Sequence, residues 1–346
     1  MTAGPPAQAR GSTPGRGTAP VRTVFFGSGA FGVPILEALR TLPGIEVVAI
    51  VSTPDRPAGR SRQLAPTPVA RRAAELGLPV LRPPSLRTPE GIASIAATRP
   101  DLAVLADYGR IVPTAVLGIP RRGFQNHHPA LLPRHRGATP IAGAILAGDS
   151  ATGVTLFRMD EGLDTGPILA QASWPLAPDA TADEVEATAA SRAADLLATA
   201  LPRWVAGDLE ALPQDVPAAT LTRPFRREDG RLDATQPAAA LERRVRALTP
   251  WPGTFLELSD APIAVSRIAV SRVAVAPSDS ADVVGSLVAD ADGLAIATAD
   301  GRLRLLEVRP AGGRTMSGAE LRRGRPGLVG KHLEGVVADA LAESHR

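Results

Sequence analysis

Cysteine is absent from the 346 residues, and with it go disulfides, thiolate zinc sites and cysteine nucleophiles. No apolar run approaches the ~20 residues that a helix needs to span a bilayer, so a soluble, cytoplasmic protein with no membrane partner is expected. Lysine is almost missing: Lys331 stands alone, and the remaining positive charge is arginine, whose planar fork suits phosphate and stays protonated. Acidic residues are missing from the first 20 positions, MTAGPPAQARGSTPGRGTAP, which hold two arginines among Pro, Gly, Ala and Thr. Such a stretch forms no apolar helical face. Residues 1–20 are therefore expected to be a disordered extension, and their prolines and glycines argue against a transit peptide.

What remains is rich enough in apolar residues, at 44%, to supply a core for each of two domains. From Val21 the pattern is strand, glycine turn, helix: TVFF is a short apolar run, and Phe31, Ile35, Leu36 and Leu39 then recur at helical spacing with Pro34 in the first turn. EVVAIVS, Glu46 to Ser52, is a second buried strand, DLAVLADYG from Asp101 a third, and further strands are expected around Gln125 and over Gly153 to Asp160. A long amphipathic helix from Ala182 to Gly207 closes this half. The fold class is α/β, a Rossmann-like parallel sheet over 21–207.

Residues 208–226 hold three prolines and little periodicity, as a linker would. Beyond them LERRVRALTPW reads as a helix ending before Pro250, followed by alternating segments with Asp-Gly turns at Asp292 and Asp300. A small OB-like antiparallel barrel over 227–330, with a tail at 331–346, is expected. Net charge is only +3, yet between Gly301 and Lys331 eight basic residues stand against Glu307 and Glu320, giving the second domain a cationic face suited to an RNA backbone.

GSGAFG, Gly27 to Gly32, matches the Gly-x-Gly-x-x-Gly turn of dinucleotide-binding folds. An NAD-dependent oxidoreductase is therefore one reading. The acid expected at the end of the second strand is poorly placed, because Ser52 ends that run and Asp55 lies in the following loop. As an alternative role, the turn's N–H groups are free to meet an anion such as a tRNA phosphate.

Three of the five histidines fall within QNHHPALLPRHRG, Gln125 to Gly137. Asn126 and His128 alternate along the expected strand and so share a face, one offering amide donors and the other a titratable ring, while His127 points the other way. GLDTG, Gly162 to Gly166, supplies Asp164 between glycines that let its loop approach closely. His127 and His135 are expected to be structural, one satisfied inside the sheet and the other on a loop.

The stretch GFQNHHPALLPRHRGATPIAGAILAGDSATGVTLFRMDEGLDTGPIL closely resembles the signature of the 10-formyltetrahydrofolate-dependent formyltransferases. Within that superfamily, TPDRPAGRSRQLAPTPV, Thr53 to Val69, together with LERRVRALTPWPGTFLEL and PAGGRTMSG, resembles the branch whose acceptor is methionine esterified to initiator tRNA. The resemblance covers about Val21 to Arg325. It implies a monomer that moves a formyl group from 10-formyltetrahydrofolate, its donor substrate, to the methionyl α-amine with no permanently bound cofactor and no metal.

The resemblance implies that Asn126 and His128 stabilise the oxyanion and that Asp164 orients His128 and relays a proton. Leu131, Leu132 and Pro133 would floor the folate pocket, and backbone groups from Leu102 through Leu105 to Tyr108 would read the pterin edge. The exposed loop arginines Arg56, Arg60 and Arg62 would meet tRNA, as would Arg302, Arg304 and Arg314 on the barrel. Two departures stand out: Pro129 and Ala130 replace a hydroxyl-bearing stretch before Leu-Leu-Pro, and Asp107 stands where alanine is common. The competing functions are formyl transfer to a small amine, nucleotide or amino sugar, and an RNA-binding module without catalysis, which leaves the Asn, His and Asp set unexplained.

Overall fold

The computed structural model describes residues 19–58, 63–259, 266–291 and 293–334. The expected extension over 1–18, Arg60, Arg62 and Asp292 lie outside the described residues.

The first domain begins with β1 (Val21–Gly27), α1 (Gly32–Thr41) and β2 (Ile45–Val51). Phe31, Ile35, Leu36 and Leu39 bury the inner face of α1, as their spacing predicts. Next come a ribbon of β3 (Arg56–Ala58) and β4 (Gln63–Ala65), then α2 (Pro68–Glu75), β5 (Val80–Leu81), α3 (Pro89–Ala96), β6 (Leu102–Ala106), α4 (Thr114–Leu117) and β7 (Phe124–His128). The domain continues through β8 (Arg136–Gly137), α5 (Pro140–Ala147), β9 (Ala151–Arg158), β10 (Ile168–Pro175) and α6 (Ala182–Ala206). A capping box at Thr181 and Glu184 starts α6, and Gly207, left-handed at φ 84°, stops it.

The seven-stranded sheet has the order β10-β9-β7-β6-β1-β2-β5. Its β7-β6-β1-β2-β5 part is parallel, but β9 runs antiparallel to both β7 and β10, so the expected parallel sheet is mixed at one edge. This matters for the site: β9 sets Thr155 opposite His128 and leaves the sheet beside Gln125, and the loop that follows brings Asp164 back to His128. The Thr53 to Val69 loop is exposed at Asp55, Pro57, Gln63 and Leu64, as expected, but it is not unstructured. It folds as the β3–β4 ribbon, and Val69 is fully buried in α2 behind a Thr67 cap.

The second domain comprises α7 (Ala238–Ala247), β12 (Thr254–Glu257), β13 (Arg267–Ala276), β14 (Leu287–Asp290), β15 (Gly293–Ala297), β16 (Arg302–Pro310) and α8 (Gly318–Gly324), after the two-residue strand β11 (Leu221–Thr222) of the connector. Its sheet, ordered β12-β13-β16-β15-β14, is antiparallel throughout. The two edges are joined by residues 330–334: Leu287 N–H donates to the Lys331 carbonyl, and Ser259 N–H to the His332 carbonyl. Leu333 enters the core beside Leu256 and Leu287. Residues 331–334 thus close the barrel instead of beginning a tail, which removes exposed strand edges. The two domains meet where Ile141 and Ile145 of α5 pack with Ala247 and Leu248, and Arg246 donates to the Ala180 carbonyl.

The connector over 208–226 does not hang free. Leu212 pairs with Ile168, and β11 pairs with β8. It lies along the loops that carry the candidate catalytic residues.

Candidate active site

The side chains of Asn126 and His128 leave β7 at its carboxyl end, where an open α/β sheet places its ligands. Both are largely buried, as is Gln125. Among the described residues the Asn126 amide makes no side-chain hydrogen bond, so its donors are free for a ligand. His128 Nε2 lies 2.9 Å from the His135 carbonyl oxygen. A carbonyl only accepts, so Nε2 carries the hydrogen and Nδ1 of the neutral ring is left with its lone pair. That Nδ1 faces Asp164 Oδ2 at 3.7 Å. Burial pushes His128 below the ordinary histidine value, against the opposing pull of the Asp164 charge.

Asp164 sits in the β9–β10 loop in the left-handed region, φ 53°, and its Oδ2 accepts a 2.7 Å hydrogen bond from Gly137 N–H. Gly137 is itself at φ 105°, and a Cβ there would come within 2.3 Å of the Thr222 carbonyl oxygen. Only glycine lets β8, the connector and Asp164 come together at this point. The sequence placed Asp164 as the orienter of His128; in the structure it is a charge facing Nδ1, and the hydrogen bond that orients the ring comes from His135.

His135, expected to be a structural loop residue, therefore touches the site directly. Its ring donates to Asp149 at 2.7 Å, and its N–H to Thr220 Oγ1 at 2.8 Å, which fixes the carbonyl that His128 uses. The Leu131-Leu132-Pro133 loop is pinned by Thr155: its hydroxyl donates to the Ala130 carbonyl at 2.7 Å and accepts from Leu132 N–H at 3.0 Å. Gln171 adds a 2.9 Å bond to the Leu132 carbonyl. The loop that lacks a hydroxyl of its own at Ala130 is thus held by one from the neighbouring strand.

A family model described as "Formyl transferase" matches residues 21–201, and one described as "Formyl transferase, C-terminal domain" matches 224–326. A methionyl-tRNA formyltransferase of Roseiflexus sp. (strain RS-1) is 45% identical over 307 residues, 88% of this chain and 93% of that one. The chain belongs to the methionyl-tRNA formyltransferase family. A second relative of that description, from Halorhodospira halophila, is 44% identical over 90% of this chain and 99% of its own. The fold is also that of an N-formyltransferase from Helicobacter canadensis solved with folinic acid and dTDP-3-aminofucose. It superposes with a TM-score of 0.61 at 15% identity, covering 86% of this chain and all of that one.

The glycine turn of this methionyl-tRNA formyltransferase relative is not a dinucleotide cradle. Ser28 N–H and Gly29 N–H both donate to the Asp107 carbonyl, at 2.9 and 3.1 Å. A Cβ on Gly29 would fall 1.5 Å from Asp107 Oδ2. Two of the turn's donors are thus spent inside the protein, and the Asp107 side chain lies against Gly29. The formyltransferase family match replaces the NAD reading, and the two internal bonds leave fewer donors for an anion than the glycine pattern suggests.

The residues expected to read folate separate into two groups. Leu102 begins β6, at the end of the sheet opposite Asn126, and is fully buried in the core between the sheet, α1 and α6. Leu105 and Tyr108 pack into the core on the sheet's other face, where the Tyr108 ring meets Phe26 edge-on at 5.5 Å. Moreover β6 is paired with β1 on one side and β7 on the other, so its backbone offers no free edge to a pterin. Leu131, Leu132 and Pro133 do lie beside the His128 end of β7. A cavity of about 190 Å³ shares only Leu131 with this set and is otherwise lined by residues such as Arg134, His135, Asp149 and Thr152.

The cationic face of this family member is also rearranged. Arg302 pairs with Asp282 at 2.7 Å, Arg304 with Asp290, and Arg314 with Glu320 at 2.9 Å. Asp282 and Asp290 stand 20 and 14 positions before their partners and are brought alongside by the barrel, whereas Glu320 is six positions after Arg314. Arg309, Arg323 and Arg325 have no ion pair among the described residues, and the last two line a cavity of about 330 Å³ beside α8. In the Thr53 to Val69 loop Arg56 belongs to β3, and Asp55 pairs with Arg82 at 3.0 Å.

His127, on the opposite face of β7, is fully buried, and burial holds it down at about 3. The unfolded chain titrates near the ordinary 6.5, so it takes up a proton that the folded chain refuses. The resulting stability is complete above pH 6.5 and is lost progressively as the pH falls toward 3. His127→Leu should flatten this dependence: urea unfolding should show the wild type losing about 2 kcal/mol more than the variant between pH 7.5 and 5.

Proposed function

We propose that this chain transfers the formyl group of 10-formyltetrahydrofolate to the α-amino group of methionine carried by initiator tRNA, with Asn126, His128 and Asp164 as the reacting set. The observation that carries this reading is the pairing of a free Asn126 amide with a neutral, buried His128 whose Nδ1 lone pair faces a carboxylate. Family membership supports the acceptor.

The methionyl amine attacks the formyl carbon, and the carbonyl oxygen becomes an oxyanion that the Asn126 amide stabilises. His128 Nδ1 takes the amine's proton as the C–N bond forms, and Asp164 at 3.7 Å stabilises the imidazolium. The intermediate then collapses: the bond from carbon to folate N10 breaks, and the same proton passes from Nδ1 to N10. Because the Nε2 hydrogen is held by His135, His128 acts as base and acid, and oxyanion donation falls to Asn126. The loop Leu131 to Pro133 forms a wall of the donor pocket.

For the tRNA, Arg323 and Arg325, which have no ion pair among the described residues, are better contacts than Arg302, Arg304 and Arg314, whose charges are already answered; Arg56, Arg60 and Arg62 would meet the acceptor end. Arg323→Ala combined with Arg325→Ala should weaken tRNA binding and lower the slope of log affinity against log salt by about 2, leaving the KM for folate unchanged.

The test is to incubate the protein with 10-formyltetrahydrofolate and charged initiator tRNA and to identify formyl-methionine on the tRNA by mass spectrometry. Free methionine, an amino sugar nucleotide and uncharged tRNA serve as competing acceptors. Transfer to a small amine alone would overturn the assigned acceptor, and no transfer to any of them would overturn the chemistry.

A further inference from the structure

The side chain of Gln214, in the connector between the domains, is buried under the Asp164 loop. Its Oε1 accepts from Arg136 Nη2 at 2.7 Å and Nε at 3.1 Å, and its Nε2 donates to the Asp164 carbonyl at 2.9 Å and the Gly166 carbonyl at 2.7 Å. The Arg136 guanidinium is buried as well, and β8, which holds it, also carries the Gly137 N–H that binds the Asp164 carboxylate. One amide thus ties together the two loops that face each other across the catalytic histidine.

The connector grips these loops at further points. Thr220 Oγ1 accepts from His135 N–H, and Thr222 Oγ1 donates to the Arg136 carbonyl at 3.0 Å. Asp164 itself is at φ 53°, a conformation unfavourable for a non-glycine residue that persists only when its surroundings impose it. The Gln214 bonds to the carbonyls of Asp164 and Gly166 supply that constraint on either side of Thr165.

We propose that Gln214 is a positioning residue that sets the Asp164 carboxylate against His128 Nδ1, and that the interdomain connector thereby completes the active site. This rests on the assignment of Asp164 and His128 given above. The role needs an amide: one end must accept from a guanidinium while the other donates to two carbonyl oxygens. A glutamate would answer Arg136 at least as well, but would turn an oxygen toward those carbonyls.

The experiment compares Gln214→Ala and Gln214→Glu with wild type in steady-state transfer from 10-formyltetrahydrofolate to charged initiator tRNA, alongside thermal melts and an NMR titration of the His128 ring. Both variants are expected to lower kcat by about 10- to 100-fold, the scale of a misplaced reacting group, with the KM for folate changed less than about 3-fold. In Gln214→Ala the His128 titration midpoint should fall, because the Asp164 charge that raises it is no longer held in place.

Full activity in Gln214→Glu would show that the side chain serves only to answer Arg136, and would overturn the proposal. So would an unchanged His128 midpoint in a folded Gln214→Ala protein. If Asp164→Ala turns over normally, the underlying assignment of Asp164 fails; if Asp164→Ala is inactive while Gln214→Ala is normal, only this inference fails.

Discussion

His128→Ala is expected to lower kcat for formyl transfer by about 100- to 10,000-fold, the range that a positioned acid-base group contributes. The methionyl amine cannot complete its attack without shedding a proton, and folate N10 is a poor leaving group unless it receives one. In the proposed reaction Nδ1 of His128 does both, because the His135 carbonyl occupies the other nitrogen at 2.9 Å. Water admitted into the space of the missing ring would be a weaker base, and Asp164 would then face no cation. The loss should fall on kcat, with KM for the donor little changed, and appear undiminished in a single-turnover measurement. A thermal melt accompanies the assay, because His128 is buried and its removal leaves the His135 carbonyl without its donor. A variant retaining more than a tenth of wild-type kcat would mean that another group carries the proton.

Asn126→Ala should cost about 100- to 1000-fold in kcat, equivalent to about 3–4 kcal/mol of transition-state stabilisation. Its amide has no side-chain hydrogen bond among the described residues, so its removal breaks nothing inside the protein. The lost interaction is one that strengthens as the carbonyl oxygen gains charge, which is why kcat and kcat/KM should fall together. Asn126→Asp sharpens the comparison: it keeps the shape but replaces a donor by an anion beside a developing anion, and should be at least as damaging as alanine. Activity in Asn126→Asp near the wild-type level would contradict the oxyanion assignment.

The part of the site that follows strand periodicity was legible in the sequence. Asn126 and His128 stand two residues apart on a strand and therefore share a face, whatever the rest of the fold does. Asp164 was legible as a candidate because glycines flank it, but its task was not: whether it bonds to the imidazole or faces it at 3.7 Å depends on Gly137 N–H, which the fold brings to its carboxylate. His135 and Gln214 were missed for a common reason. His135 acts through a backbone carbonyl, which leaves no trace in residue type, and Gln214 bonds to carbonyls of a loop some fifty positions away.

Charge was misread in the same way. Arg302 and Arg304 stand in a basic run along the chain, yet Asp282 and Asp290, outside that run, meet them once the barrel folds. The reading of GSGAFG depended on Asp107, almost eighty residues later, whose carbonyl takes up two of the turn's N–H groups. Local pattern identifies the glycine turn; only the parallel pairing of β1 with β6 decides what fills it.

That His128 waits as a neutral ring, with its hydrogen on Nε2, is tested most directly by nitrogen-15 NMR of the labelled imidazole across the acidic pH range. The expected result is a single hydrogen on Nε2 at pH 7 and protonation of Nδ1 only at a midpoint below the ordinary 6.5, falling further in Asp164→Asn where the opposing charge is gone. A ring already doubly protonated at pH 7, or one carrying its hydrogen on Nδ1, would contradict it.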